Sequence, residues 1–150
     1  RVAVLLVLVL ASVGVVFADH QQEPCSPLER PHGSLYIAWI DCQNNQNEVV
    51  VIVNGTDTEI DLTDYVIESS SGQQFVFESN SINAACCLIA PYDVLRVHSG
   101  PRNASFFPDL RDLHWLLENG QPMTNPIWDD AGDSADLYDY NGHLVDTYAY

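Results

Sequence analysis

Short runs of β-branched and aromatic residues alternate with turn residues along most of the chain. Residues 35–40 (LYIAWI) and 48–53 (EVVVIV) are rich in strand-forming side chains. Shorter strands are predicted at 60–62, 65–67, 75–77, 88–89 and 94–97. No long apolar segment with a period of 3.6 residues follows residue 18, and turn residues separate the runs. The pattern therefore predicts an all-β sandwich.

The C-terminal third is predicted to end in a β-hairpin. Residues 101–126 contain four prolines and are expected to be irregular, with only a helical turn or two at 110–117. Residues 134–139 and 143–148 then alternate on either side of Asn141-Gly142. Asn-Gly between alternating runs is typical of a two-residue hairpin turn, in which both residues have positive φ.

Alternation within this hairpin predicts which of its side chains are buried. Ala135 and Leu137 are expected on the inner face, where Val145 joins them from the returning strand. Asp136 and Tyr138 are expected on the outer face.

The first 18 residues are almost wholly apolar. After Arg1 no charged residue occurs up to Ala18, and a polar segment follows at once. Val16 and Ala18 suit the −3 and −1 positions of a signal-peptidase site, so a cleaved secretory signal is predicted, with an uncleaved anchor as the alternative. Residues 19–33 are predicted to be a polar, Pro-rich linker and residues 34–150 the sandwich domain. We expect a secreted protein, extracellular or periplasmic, without stable membrane anchoring after cleavage.

The charge of the chain excludes one class of partner. There are 21 acidic residues against five arginines and no lysine, and the formal net charge is −16. Phosphate binding depends on clustered Lys and Arg, so no nucleic acid is expected as a partner. Anionic membrane surfaces would also repel the protein.

Four cysteines follow the predicted signal: Cys25, Cys42, Cys86 and Cys87. An even number in an exported chain suggests disulfides. A bond between the neighbours Cys86 and Cys87 would be strained and would close almost no loop. The favoured pairing therefore joins Cys25 and Cys42 each to one member of that pair, with free thiols as the alternative.

Three stretches of the chain resemble the lamin tail domain family. Residues 48–54 (EVVVIVN) are similar to the family's Glu-x-Val-x-Ile-x-Asn strand, and residues 60–65 (IDLTDY) to its Val-Asp-Leu-Ser-Gly-Trp corner. Residues 125–148 are similar to its pattern of Asn-x-x-Trp, Gly-Asp, Leu-x-Asp, Gly, Val-Asp and a closing Tyr, at the same spacing. The resemblance covers about residues 34–150 and implies an immunoglobulin-like sandwich without catalytic residues.

The chain departs from the family pattern at a few positions. Asp64 and Tyr65 stand where the corner has Gly and Trp, and Tyr92 replaces the Gly of the family's Leu-x-Pro-Gly turn. No coiled-coil heptads and no basic segment of the nuclear type are present. The chain more closely resembles the exported, stand-alone copies of the domain in prokaryotes.

The acidic turn at 129–133 is the candidate metal site. Asp129, Asp130 and Asp133 offer the carboxylate oxygens that calcium prefers, so calcium is the one candidate cofactor. The turn lacks the spaced Asp-x-Asp-x-Asp-Gly pattern of a calcium loop. The favoured alternative is a solvated turn in which Asp133 accepts bonds from backbone amides and Gly132 supplies a positive φ.

Histidines and tryptophans give weaker signals. His98, His114 and His143 have acidic residues within reach, but no diagnostic spacing, and are expected to be surface or half-buried residues. Trp39, Trp115 and Trp128 either form a carbohydrate-stacking surface or pack inside. The strand settings of Trp39 and Trp128 favour the core for both, with Trp128 over the end of the hairpin.

Two glycosylation sequons are present. Asn54-Gly-Thr56 and Asn103-Ala-Ser105 both fit the acceptor pattern and lie at predicted turns.

The expected function is a secreted, non-catalytic binding, adhesion or structural module. Its ligand is unknown, and its expected partner is an extracellular protein or a glycan. The alternative is a metal-dependent extracellular hydrolase, or an accessory domain of one. A third interpretation is a generic fibronectin-like sandwich whose similarity to the family arose by chance. No catalytic or cofactor-binding residue is predicted.

Overall fold

The computed structural model describes residues 33–43, 46–80, 83, 86–101 and 111–150, and the predicted signal lies outside these residues. The described residues form ten β-strands and no helix. None of them lies in an apolar helix long enough to cross a membrane. The strands are β1 (Leu35–Asp41), β2 (Glu48–Asn54), β3 (Ile60–Asp61), β4 (Val66–Ser69), β5 (Gln74–Val76), β6 (Leu88–Ile89), β7 (Val94–Ser99), β8 (Asp112–His114), β9 (Ser134–Tyr138) and β10 (Leu144–Ala149).

Two four-stranded sheets make up the sandwich. The first sheet has the order β1-β2-β7-β8 and the second β10-β9-β4-β5, while β3 and β6 form a separate pair. The β7–β8 pair is parallel and the other pairs are antiparallel. The prediction of an all-β, immunoglobulin-like sandwich is confirmed.

The core lies between the inner faces of the two sheets. Along β2, the residues Glu48, Val50, Ile52 and Asn54 are buried and the intervening valines are half-buried, as strict alternation requires. Leu95 and Leu113 of the first sheet and Ile67 of the second are also buried. A fully buried side chain of this size contributes about 1.5–3 kcal/mol by leaving water.

A β-bulge in the first strand changes which side chains are buried. Ile37 pairs with Ile52, but Trp39 pairs with Val51, so β1 holds one extra residue at Ala38. The extra residue shifts the alternation, because side chains repeat every two residues. Ile40 is fully buried and Trp39 is only half-buried, so the predicted core position of Trp39 is wrong.

The C-terminal hairpin forms as predicted but has a different turn and a bulge. Only Gly142 of the Asn-Gly pair has a positive φ, +78°, and its N–H donates to the carbonyl of Asp139. This is a longer loop with a left-handed glycine rather than the predicted two-residue turn. The register shifts between Leu144 and Asp146, so Val145 is the extra residue and is 38% exposed. Its predicted place on the inner face is therefore wrong.

The two sides of the sandwich differ. On one side β1 lies beside β10, and Asp146 Oδ2 accepts a hydrogen bond of 2.8 Å from the N–H of Ile37. On the other side the sheets end at β8 and β5. Residues 112–114, for which the sequence predicts a helical turn, are instead the parallel partner of β7, because Arg111 and Trp115 bond to β7 through their backbone groups.

Candidate functional site

The buried carboxylate of Glu48 links one end of β2 to the segment that leads into β9. Its Oε2 accepts hydrogen bonds from the N–H of Ile127 at 2.8 Å and the hydroxyl of Ser99 at 3.0 Å. Its Oε1 accepts one from the N–H of Trp128 at 3.1 Å. Burial raises the pKa of Glu48 above 4.5, and the hydrogen bonds from Ile127, Trp128 and Ser99 oppose that shift. This residue therefore fixes the segment that leads into the C-terminal hairpin.

Asn54 has the same role at the other end of β2. Its Nδ2 donates to the carbonyls of Thr58, Ile89 and Ala90 at 2.7–3.1 Å, and its Oδ1 accepts from the N–H and hydroxyl of Thr56. The side chain is fully buried, and a glycan on Nδ2 would displace these bonds. The burial of Asn54 argues against this candidate glycosylation site in the folded domain, and Asn103 lies outside the described residues.

Two departures from the family pattern adopt the backbone conformation that glycine favours. Asp64 has φ +65° and Tyr92 has φ +59°, at the positions where the family has Gly. A left-handed conformation costs most residues about 1–2 kcal/mol, and Asp less than bulkier residues. The Tyr92 side chain is 67% exposed, so little packing offsets this cost.

The acidic turn is held by hydrogen bonds to its own backbone. Asp133 accepts from the N–H of Asp129 at 3.3 Å and of Ser134 at 2.7 Å, and Asp129 accepts from the N–H of Ala131 at 2.9 Å. Gly132 has φ +137°. This is the arrangement expected of the solvated turn. The described residues contain no group of three His, Cys, Asp or Glu side chains that could hold a metal ion, so this geometry does not support calcium at Asp129, Asp130 and Asp133.

The cysteines pair differently from the prediction. Cys86 and Cys87 are bonded to each other, in the turn before β6. Cys42 is buried directly after β1 and is also disulfide-bonded. The structure therefore does not reproduce the favoured pairing of Cys25 and Cys42 with the Cys86-Cys87 pair. Cys25 itself lies outside the described residues.

One histidine–carboxylate pair forms between the parallel strands β7 and β8. His98 Nε2 lies 2.9 Å from Asp112 Oδ1, and His98 Nδ1 lies 3.3 Å from Asn47 Oδ1. The rings of His98 and His114 stack with centroids 5.7 Å apart, and both residues are buried. His143 is exposed and contacts Asp139 instead. The expectation of surface or half-buried histidines is wrong for His98 and His114.

An aromatic cluster fills the core near the side where the two sheets end at β8 and β5, which we call the open side. Trp115 and Trp128 are 4% and 2% exposed, and their rings meet edge to face at 6.0 Å. Phe75 packs on Trp115 and, edge to face, on Phe77. The predicted core position of Trp128 is confirmed, and the burial of Trp115 was missed. Two buried tryptophans cannot form a carbohydrate-stacking surface.

A cleft of about 670 Å³ opens beside this cluster, between β5 and the segment that follows β8. Its rim carries two partly exposed apolar side chains, Val76 and Leu117, and two carboxylates, Glu78 and Glu118. None of the described residues that line it is a lysine or an arginine. The cleft is therefore an acidic groove with apolar contacts.

One wall of the cleft is capped by a side chain. Asn83 accepts a hydrogen bond of 3.0 Å from the N–H of His114 and donates one of 3.3 Å to its carbonyl. The amide of Asn83 thus takes the place that a neighbouring strand would take on β8. Sequence reasoning missed the cleft and this cap, because nothing in their local sequence marks them.

Comparison with known proteins identifies the family. A family model, the Lamin Tail Domain, matches residues 29–150. The chain belongs to the lamin tail domain family. A solved structure with some similarity in shape is a chain of the archaellum periplasmic stator protein complex FlaF and FlaG from Sulfolobus acidocaldarius, with 13% identity and a TM-score of 0.46 over 81% of this chain and 92% of that chain. No curated protein matched the sequence.

The lamin tail signature has a physical meaning in this chain. The Glu and Asn that frame its Glu-x-Val-x-Ile-x-Asn strand are Glu48 and Asn54, the two buried polar residues of β2. Glu48 binds the segment with Trp128, and Asn54 binds the turn after β6. In this lamin tail domain the signature residues hold the fold together rather than face the cleft.

Proposed function

We propose that this lamin tail domain is an exported, non-catalytic binding module that holds a protein partner at the open side of its sandwich. The observation that carries the proposal is the cleft beside β5. It combines exposed apolar side chains, Val76 and Leu117, with the carboxylates of Glu78 and Glu118. A concave surface of mixed apolar and polar character is the usual form of a recognition site.

The acidic side chains and the histidine that could act in catalysis are already hydrogen-bonded within the domain, which favours binding over catalysis. Glu48 accepts hydrogen bonds from Ile127, Trp128 and Ser99, and the acidic turn binds its own amides. His98 lies between Asp112 and Asn47, largely shielded from solvent. A catalytic acid, base or nucleophile needs access to substrate, but Glu48 and His98 are buried and the exposed carboxylates of the acidic turn are engaged by backbone amides.

Export is the second part of the proposal. It rests on the apolar run of residues 1–18 and on the disulfides at Cys86-Cys87 and Cys42, which are typical of oxidising compartments. Expression with the native N-terminus in a secreting host should give a product that begins at Asp19. An intact mass that retains residues 1–18 would contradict this part.

Site-specific cross-linking tests the binding function. A photo-reactive amino acid replaces Leu117 at the cleft, and in a matched control it replaces Leu144, which is exposed on β10 at the far edge of the same sandwich. In native cells we expect a discrete protein adduct from position 117 and none from 144. Equal labelling at both positions, or none at either, would contradict a partner held at the cleft.

A further inference from the structure

We infer that the free edge of β5 takes up an extended, positively charged segment of another protein chain as an additional strand of the second sheet. The inference rests on the proposed function, since it names the surface and the chemistry by which the partner is held.

The backbone of β5 presents hydrogen-bonding groups to the cleft. The carbonyl of Gln73 accepts a hydrogen bond from the N–H of Ser69, and the N–H of Phe77 donates to the carbonyl of Tyr65. The backbone groups of Gln73, Phe75 and Phe77 therefore face β4. Backbone groups of successive residues in an antiparallel strand point to opposite sides. The N–H and C=O of Gln74 and Val76 therefore point away from β4, into the cleft that both residues line. No described strand pairs with them on that side.

The sandwich protects its other edges. On β1, the carboxylate of Asp146 accepts from the N–H of Ile37, and β10 lies alongside. On β8, the side chain of Asn83 occupies both backbone groups of His114. Proteins cover exposed strand edges because free edges pair with other chains. β5 has no comparable contact among the described residues, and its outer edge lies next to the cleft.

The side chains around this edge select the character of the incoming strand. Val76 is 42% and Leu117 is 37% exposed, so apolar side chains of the partner can pack against them. Glu78 and Glu118 line the same cleft, whose described lining contains no lysine or arginine, on a chain of net charge −16. In strand addition the backbone supplies affinity and such side chains supply specificity. A segment with lysines or arginines among apolar residues fits both features.

The test uses a random library of twelve-residue peptides, selected against the full mature chain. The enriched peptides are measured on wild type and on two variants, Val76→Pro and Val76→Thr. Proline removes the outward N–H, a substitution that edge strands tolerate, whereas threonine loses the same valine and keeps the donor. Amide exchange of Gln74 and Val76 is followed by NMR, and the same spectra report whether each variant is folded.

We expect basic, extended peptides that protect the Gln74 and Val76 amides and bind more weakly as salt rises. Val76→Pro should weaken binding about tenfold relative to Val76→Thr. N-methylation of alternate peptide residues should abolish binding, and N-methylation of the residues between should not. This last measurement needs no variant of the protein.

Four results would overturn the inference. Peptides that bind without protecting the two amides would place recognition elsewhere. Equal binding by the two variants would show that the Val76 donor is not used. Protection of the same amides by a second copy of this chain, with concentration-dependent dimerisation, would assign the edge to self-association. If no peptide is selected while Leu117 still cross-links to a protein, strand addition fails and the proposed binding function stands.

Discussion

Replacing Glu48 by glutamine tests whether the buried carboxylate holds the segment before β9 against the first sheet. The glutamine side chain has the shape of the native one but only one acceptor oxygen. If that oxygen keeps the bonds from Ile127 and Ser99, the new amide NH₂ faces the N–H of Trp128, from which Oε1 accepts at 3.1 Å in the native protein. The variant therefore places two donors against each other in the core.

The cost follows from these contacts. A buried N–H left without an acceptor costs about 1–3 kcal/mol, and each of the two remaining bonds loses about 1 kcal/mol when the acceptor is no longer charged. Burial disfavours the ionised carboxylate, so its removal offsets part of this loss of stability. We expect Glu48→Gln to lower the free energy of unfolding by about 3 kcal/mol, which corresponds to a fall of about 10 °C in the melting temperature.

Urea and thermal denaturation of the full mature chain at pH 7 measure this change. Ser99→Ala is the matched control, because it removes one donor and leaves Glu48 with both backbone partners. We expect the control to cost about 1 kcal/mol. A Glu48→Gln variant within about 0.5 kcal/mol of wild type, the range of ordinary surface substitutions, would refute the role of the carboxylate. So would a control that costs as much as the test variant.

Three further predictions concern single residues. Tyr92→Gly should raise stability by about 1 kcal/mol by relieving the positive φ, whereas Tyr140→Gly, equally exposed in a hairpin turn, should lower it; a loss of stability at Tyr92 in urea denaturation would contradict this. Leu137→Ala should lower the free energy of unfolding by about 2–5 kcal/mol, and Val145→Ala, on the bulge, by less than about 1 kcal/mol. Equal melting temperatures for the two variants would argue against the register described. NMR titration should place the pKa of Glu48 above 4.5. Its contribution to stability is then complete below the unfolded pKa and declines as the pH rises through the folded pKa, whereas a pKa below 4.5 would reverse this pH dependence.

The sequence predicts the strands well and fails where the ladder is irregular. Alternation predicts the burial of Ala135 and Leu137, and both are fully buried. It fails at Trp39 and Val145, which lie at or next to a bulge. A bulge depends on how a strand meets its neighbours, so the local pattern does not reveal it.

Turn chemistry is predictable where it is local, and the open cleft is not. The bonds from Asp133 to nearby amides follow from the habits of aspartate in turns. The cleft forms because β5 and β8 end two different sheets on the same side, although Gln74 and His114 are far apart in sequence. The cap from Asn83 to His114 spans 31 residues and likewise depends on topology.

The strand order also determines when the domain can fold. β9 lies between β10 and β4, so the second sheet has no interior until residues 134–149 are available. The bond from Trp128 to Glu48 spans 80 residues and cannot form earlier. A nascent chain with this topology stays unfolded until nearly all of the domain has been synthesised, because its early strands lack their partners. Under the proposed export, that delay would keep the chain unfolded while it is threaded through a translocation channel.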